Sequence, residues 1–187
     1  MKDLSNEFVV HIKKNGIEYL QFRKLLEYSD IITHAYSLGI DKNFRTARAN
    51  KEKLPKEELK KALEDYEMLG KAVNIELKDM AKPNQNHTDN VQIINKKVLT
   101  DKPDFNLDEY NKTDGLITSK PGIALGSTNA DCILIYIFDP VKKVIANVHS
   151  GWKGTFQKIG EKAAQKMIKE YGCNPQDLIV CMCPSIR

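Results

Sequence analysis

The chain has 187 residues, 41% hydrophobic and 29% charged, enough for one domain of ordinary size with a real core and too apolar for a disordered polymer. Its net charge of +4 is mild, and basic residues alternate with acids, as in Lys56-Glu57-Glu58-Leu59-Lys60-Lys61; this argues against nucleic-acid binding and leaves a small anionic substrate open. The longest apolar run, Ile133 to Phe138, is far too short to span a bilayer, and the first residues lack the apolar stretch of a secretory signal, so a cytoplasmic protein without membrane partners is expected.

Phe8 to Lys13 and Ile17 to Phe22 alternate like two strands, with Asn15-Gly16 between them as a hairpin signal. Asp30 to Ser37 reads as a further extended segment, and Asp41 to Ala49 as a loop. Pro55 opens a helix whose apolar positions Leu59, Leu63, Tyr66, Leu69 and Val73 recur at helical spacing. A strand is expected near Ile75 to Met80, then the loop Pro83-Asn84-Gln85-Asn86-His87, then a strand at Val91 to Ile94. Lys96 to Lys112 is polar and reads as a loop; Asp114 to Thr118 is a short strand and Pro121-Gly122 a turn. Ile133 to Phe138 and Val144 to Val148 form a second hairpin about Asp139-Pro140. A helix from Gly154-Thr155 should bury Phe156, Ile159, Ala163, Met167 and Ile168 and end at Tyr171-Gly172, where glycine caps it. Leu178 to Cys183 reads as a buried strand, directly followed by Pro184-Ser185-Ile186-Arg187; the expectation is a domain with roughly its last quarter beyond Arg187.

The chemistry concentrates around the second hairpin. Cys132 precedes its first strand and His149 ends its second, so the turn brings a thiol and an imidazole together. With His87 they form a zinc set of three ligands and an open fourth position, the catalytic rather than the structural arrangement. Spacing alone does not demand His87, and the same Cys132–His149 pair also suits a metal-free hydrolase with a thiol nucleophile and an imidazole base. His11 reads as a surface strand residue. Asp131 is a candidate for orienting a ligand histidine or holding a loop backbone. Lys153 and Thr155, at a helix start, with Arg45 or Arg48, are candidates for holding a phosphate. The four cysteines carry no disulfide expectation; Cys181 and Cys183 share a strand face and read as small buried residues.

Taken in order, Gln85-x-His87, Asp114-Gly115-Leu116-Ile117-Thr118, Pro121-Gly122-Ile123-Ala124-Leu125, Ala130-Asp131-Cys132, Asp139-Pro140 and His149-Ser150-Gly151-Trp152-Lys153-Gly154-Thr155 resemble the YfiH-like family, whose members are labelled polyphenol oxidoreductase (laccase), peptidoglycan editing factor or purine nucleoside phosphorylase. The resemblance runs from about residue 60 to the end, and Pro184-Ser185-Ile186 looks like the start of the family's next motif. It implies an α/β (α+β) fold, mixed β-sheets sandwiched between helices in a single domain over 1–187, akin to the necrotizing-factor cysteine hydrolases. It also implies a metal site at His87, Cys132 and His149, usually zinc with copper proposed, and the splitting of purine nucleosides by phosphate together with adenosine deamination. The family's N-terminal glycine-rich loop is not recognisable near Ile32 to Ser37. The expected function is therefore a zinc-dependent phosphorylase of adenosine, inosine, guanosine and methylthioadenosine that also deaminates adenosine. The alternatives are the metal-free Cys/His hydrolase or deamidase, acting on an amide or a peptidoglycan precursor, and a copper-dependent polyphenol oxidase.

Overall fold

A computed structural model describes residues 2–44, 55–95 and 106–186. The backbone divides into two compact units, one up to Leu77 and one from Lys78.

In the first unit, β1 (Val9–Lys14) and β2 (Ile17–Phe22) pair antiparallel. Asn15 and Gly16 both take positive φ, 54° and 74°, the primed turn whose twist matches the strands. A one-turn helix, α1 (Arg23–Leu26), follows, and of the expected extended segment only β3 (Tyr36–Ser37) pairs, with β2. Helix α2 (Lys56–Val73) starts after Pro55 as expected. Its deepest positions are Ala62, Asp65, Tyr66, Gly70 and Ala72, whereas Leu59, Leu63, Leu69 and Val73 are half-buried. The buried face is thus turned from the one that leucine spacing marks. Asp65 is tolerated there because it accepts from the Asn43 N–H at 2.8 Å and faces the Lys42 ammonium at 3.5 Å. At Gly70 a side chain would bring Cβ within 2.4 Å of the Ile75 carbonyl oxygen.

A 3₁₀ turn, Leu77–Asp79, forms where a strand was expected; β4 (Met80–Asn84) starts only at the end of that segment. Next come β5 (Val91–Ile93) and β6 (Asn106–Asn111), the latter inside the polar stretch read as a loop. Parallel pairing with β4 recruits β6 despite its polar sequence, and the register shifts around Pro83, which has no N–H to give the ladder. Then follow β7 (Gly115–Thr118), β8 (Ala124–Leu125), β9 (Ile133–Asp139) and β10 (Val144–Ser150).

The expected single helix after β10 is two: α3 (Trp152–Phe156) and α4 (Ile159–Tyr171), broken at Lys158 with φ 59°. The break turns Phe156 out to 86% exposure, against expectation, and points Ile159 into the core. Gly172 caps α4 in the left-handed conformation, its N–H bonded to the Ile168 carbonyl. Last is β11 (Ile179–Met182). It is an edge strand, not a fully buried one: Cys181 is buried while Val180 and Met182 face out.

The five-stranded sheet has the order β11-β9-β10-β7-β5, antiparallel except for the parallel β7/β5 pair. Helix α4 covers one face, packing Ile159, Ala163 and Met167 onto Ile117, Ile137, Val144 and Val148. Fully burying each of these Ile, Val and Met side chains stabilises by about 1.5–3 kcal/mol. On the other face Leu116 and Ile94 pack with Ala81, Tyr110 and Ile123, from or beside the three-stranded sheet β6-β4-β8. The fold is the expected α+β class with mixed sheets. No described helix is long and apolar enough to cross a membrane.

Candidate metal centre

The β9–β10 hairpin turns on Asp139, whose Oδ1 accepts from the Val141 and Lys142 N–H groups, each at 2.8 Å. Its register sets His149 opposite Leu134 and Ser150 opposite Ile133, so Cys132 lies one position beyond the last pair. Asn147 shares His149's face and binds Ser127 and the Leu125 carbonyl, so that face looks toward β8 and the loop leading to Cys132.

His87 arrives from the loop after β4, with φ 57°. The donor atoms of His87, Cys132 and His149 all lie within 4.8 Å of one another. Cys132 Sγ is 3.9 Å from His87 Nε2, and the two imidazole centroids are 5.0 Å apart with planes at 79°. His149 is buried, Cys132 half-buried and His87 exposed, so the cluster opens on the His87 side. A tetrahedral zinc with bonds of about 2.0–2.3 Å spaces its ligand atoms about 3.5 Å apart, close to what the chain already provides. Two imidazoles and a thiol are a donor set that zinc accepts and copper also accepts.

One carboxylate underlies both histidines. Asp114, just before β7, accepts the N–H groups of Asn86 at 3.2 Å, His87 at 3.0 Å and Thr88 at 2.7 Å. It also accepts the Thr88 hydroxyl at 2.7 Å and faces His149 Nδ1 at 2.9 Å. Burial alone would raise its pKa, but the bonds from His149, Thr88 and Asn86 outweigh this and hold the carboxyl below the usual range. An ionised carboxylate only accepts, so His149 donates to it from Nδ1, and Nε2 is the ring nitrogen left for another partner.

The Cys132 loop is tied to the His87 loop by Gln85. Its side-chain amide donates to the Thr128 carbonyl at 2.7 Å and accepts the Thr128 N–H at 2.9 Å. Asn129 Nδ2 donates to the Cys132 carbonyl at 2.6 Å. Burial, then the charges of Asp131 and Asp114, push the Cys132 thiol above its ordinary value. Two glycines admit α3 to this cluster. A Cβ on Gly151 would stand 2.6 Å from His87 Cδ2, and one on Gly154 would stand 2.9 Å from the Thr88 carbonyl oxygen. Beyond His87, α4 grips the loop: Lys162 pairs with Asp89, and Lys166 Nζ donates to the Val91 carbonyl at 2.6 Å.

Asp131 is exposed, its backbone carbonyl accepting from Ile186; the carboxylate that faces a histidine of the cluster is Asp114. Sequence reasoning left Asp114 out of the site, and its local signal was only a carboxylate at the mouth of an apolar strand. Lys153 is exposed, with its ammonium 5.5 Å from the Trp152 ring centre. The Thr155 hydroxyl is 2.8 Å from that of Ser150. Arg45 and Arg48 lie outside the described residues. His11 is not a surface residue: its side chain is buried, with Nε2 2.9 Å from a Glu18 oxygen and Nδ1 accepting the Leu4 N–H at 3.2 Å.

Comparison with known proteins agrees with this architecture. The structure of a hypothetical protein YfiH from Bacillus licheniformis superposes with a TM-score of 0.71 at 20% identity, over 98% of this chain and 64% of that one; it bears on the fold alone. The purine nucleoside phosphorylase LACC1 of Mus musculus is 42% identical over 78 residues, 42% of this chain and 18% of its own length. The purine nucleoside phosphorylase YlmD of Bacillus subtilis is 30% identical over 128 residues, 66% of this chain and 45% of its own. An adenosine deaminase, RL5, from an unknown prokaryotic organism is 28% identical over 118 residues, 63% of this chain and 45% of its own. The chain thus spans less than half the length of each of these relatives. A family model described as multi-copper polyphenol oxidoreductase laccase matches residues 44–187, most of the chain and all of the site, and the protein belongs to that family.

Proposed function

We propose that this chain carries the metal site of a zinc-dependent purine nucleoside phosphorylase that also deaminates adenosine, acting on adenosine, inosine, guanosine and methylthioadenosine. The observation that carries the reading is the convergence of His87, Cys132 and His149 within 4.8 Å, with an open side at His87. The names of its relatives, phosphorylase for two and adenosine deaminase for one, support the substrate class.

His87 Nε2, Cys132 Sγ and His149 Nε2 would hold the ion. When bound, zinc supplies Lewis-acid charge and lowers the pKa of a water toward neutrality. Asp114 accepts the His149 Nδ1–H, which fixes the ring and leaves Nε2 as the nitrogen available to a metal. Gly151 leaves the space beside both imidazoles free of a side chain. Lys153 and Thr155 are proposed to receive the phosphate, and Asp131 is proposed as a substrate contact. For phosphorolysis Lys153 and Thr155 would hold the anion so that a phosphate oxygen bonds to the ribose C1′ as the C1′–N bond to the purine breaks. For deamination the same opening would admit C6 of adenosine, where a water adds and the C6–N bond breaks, releasing ammonia and leaving inosine.

The second imidazole favours this reading over the metal-free thiol hydrolase: His87 Nε2 lies 3.9 Å from Cys132 Sγ, a third donor that a metal uses and a thiol–imidazole pair does not need. The test is mass-spectrometric product analysis after incubation with adenosine and phosphate, wild type beside His149→Ala. Adenine with ribose 1-phosphate, or inosine, is expected from the wild type alone. Turnover that persists in metal-stripped protein overturns the proposal.

A further inference from the structure

Asp114 does more than orient one imidazole. Three consecutive N–H groups, from Asn86, His87 and Thr88, converge on its carboxylate, with His87 held at φ 57°. Consecutive N–H groups around a left-handed residue form a concave anion-binding nest. Here the anion is not a ligand but a side chain of the same unit. Oδ1 takes the His87 N–H and faces His149 Nδ1; Oδ2 takes Asn86 N–H, Thr88 N–H and the Thr88 hydroxyl. The Asp114 backbone adds a further tie, its carbonyl accepting the His149 N–H at 2.6 Å. An ionised carboxylate offers about four lone-pair sites, so five donors saturate it.

We propose that Asp114 is the positioning residue for both histidines, a single carboxylate that sets the ligand conformer of His87 and the tautomer of His149 before any ion arrives. This rests on the metal reading of the His87–Cys132–His149 cluster and names what preorganises it. The side chain of Asp114 is fully buried, so a lost partner is not replaced by water. An amide at 114 is no substitute: it would offer one oxygen and turn an NH₂ group toward donors that are themselves N–H. Both loops would have to move, and with them both imidazoles. Thr88 gives a milder test, because Thr88→Val removes one donor of five and touches no proposed ligand.

The experiment has two readouts, neither of them activity. Zinc affinity is measured by competition with a chromogenic chelator for wild type, Asp114→Asn, Thr88→Val and Val144→Ala. The last is a buried variant at the far end of β10 from His149 and controls for lost stability. Asp114→Asn should bind zinc about 10- to 100-fold more weakly and Thr88→Val several-fold more weakly, with Val144→Ala within twofold of wild type. The second readout is the ¹⁵N chemical shift of His149 in metal-free protein, expected to show Nδ1 protonated in wild type and a tautomer mixture in Asp114→Asn. Wild-type affinity in Thr88→Val, or in folded Asp114→Asn, overturns the proposal; where Asp114→Asn does not fold, Thr88→Val decides. A wild type that binds no zinc refutes the metal reading itself. In that event the tautomer still tests the positioning role, and an Nε2-protonated His149 refutes it.

Discussion

Replacing Gly151 by alanine separates the geometry of the site from the stability of the fold. Gly151 has φ −68° and ψ 171°, a region open to any residue, so alanine adds no backbone strain. It also restricts the unfolded chain, which by itself stabilises by about 0.4–1 kcal/mol. The added methyl, however, falls 2.6 Å from His87 Cδ2 and 3.4 Å from His149 Cε1. Carbon–carbon contacts settle near 3.5–4.0 Å, so the His87 ring must retreat by about 1 Å. His87 is exposed and can swing into solvent at little cost, whereas His149 is buried and bound to Asp114. The ligand that moves is therefore His87, by more than the roughly 0.5 Å a preorganised site tolerates. Gly151→Ala should leave the melting temperature within a few degrees of wild type and weaken zinc binding at least tenfold, by differential scanning calorimetry and chelator competition. Wild-type zinc affinity in this variant would refute the placement of His87 against the start of α3.

Two further outcomes probe the surrounding fold. His34 is held neutral: burial lowers its pKa to about 4, and its Nε2 accepts the Phe22 N–H at 2.7 Å, which a protonated ring cannot do. The unfolded chain binds this proton near pH 6.5 and the folded chain only near 4, so stability present above pH 6.5 is lost as pH falls through that window, by up to about 3 kcal/mol. Denaturant melts from pH 7 to 4.5 should show a shallower loss for His34→Gln than for wild type, and equal pH slopes would contradict this. The break at Lys158 makes opposite predictions for neighbouring apolar residues: Phe156→Ser should change stability by under about 0.5 kcal/mol, and Ile159→Ala should cost about 2–5 kcal/mol. A large loss at Phe156 in urea unfolding would mean one continuous helix.

What the sequence discloses depends on how local each cause is. The β9–β10 hairpin is legible because two mostly apolar runs pair across a turn built on Asp139, and that hairpin alone brings His149 to Cys132. His87 is legible only as part of an ordered set of motifs, since its approach depends on Asp114, 27 residues further along the chain. Asp114 itself escapes because its meaning lies in donors 26 to 35 positions away. The break before α4 leaves no mark because Lys158, not a glycine, takes the left-handed turn. Strand β6 is hidden by its polar residues, as tertiary pairing overrides propensity. His11 looks like a surface residue until Glu18 on the partner strand and the Leu4 N–H are seen to enclose it.

The central claim is that His87, Cys132 and His149 bind one ion together. The most direct measurement is the X-ray absorption spectrum of the protein loaded with one equivalent of zinc. One sulfur at about 2.3 Å and two imidazole nitrogens at about 2.0–2.1 Å are predicted, with the sulfur lost in Cys132→Ser. A first shell of oxygen and nitrogen alone, unchanged by that substitution, would contradict the account.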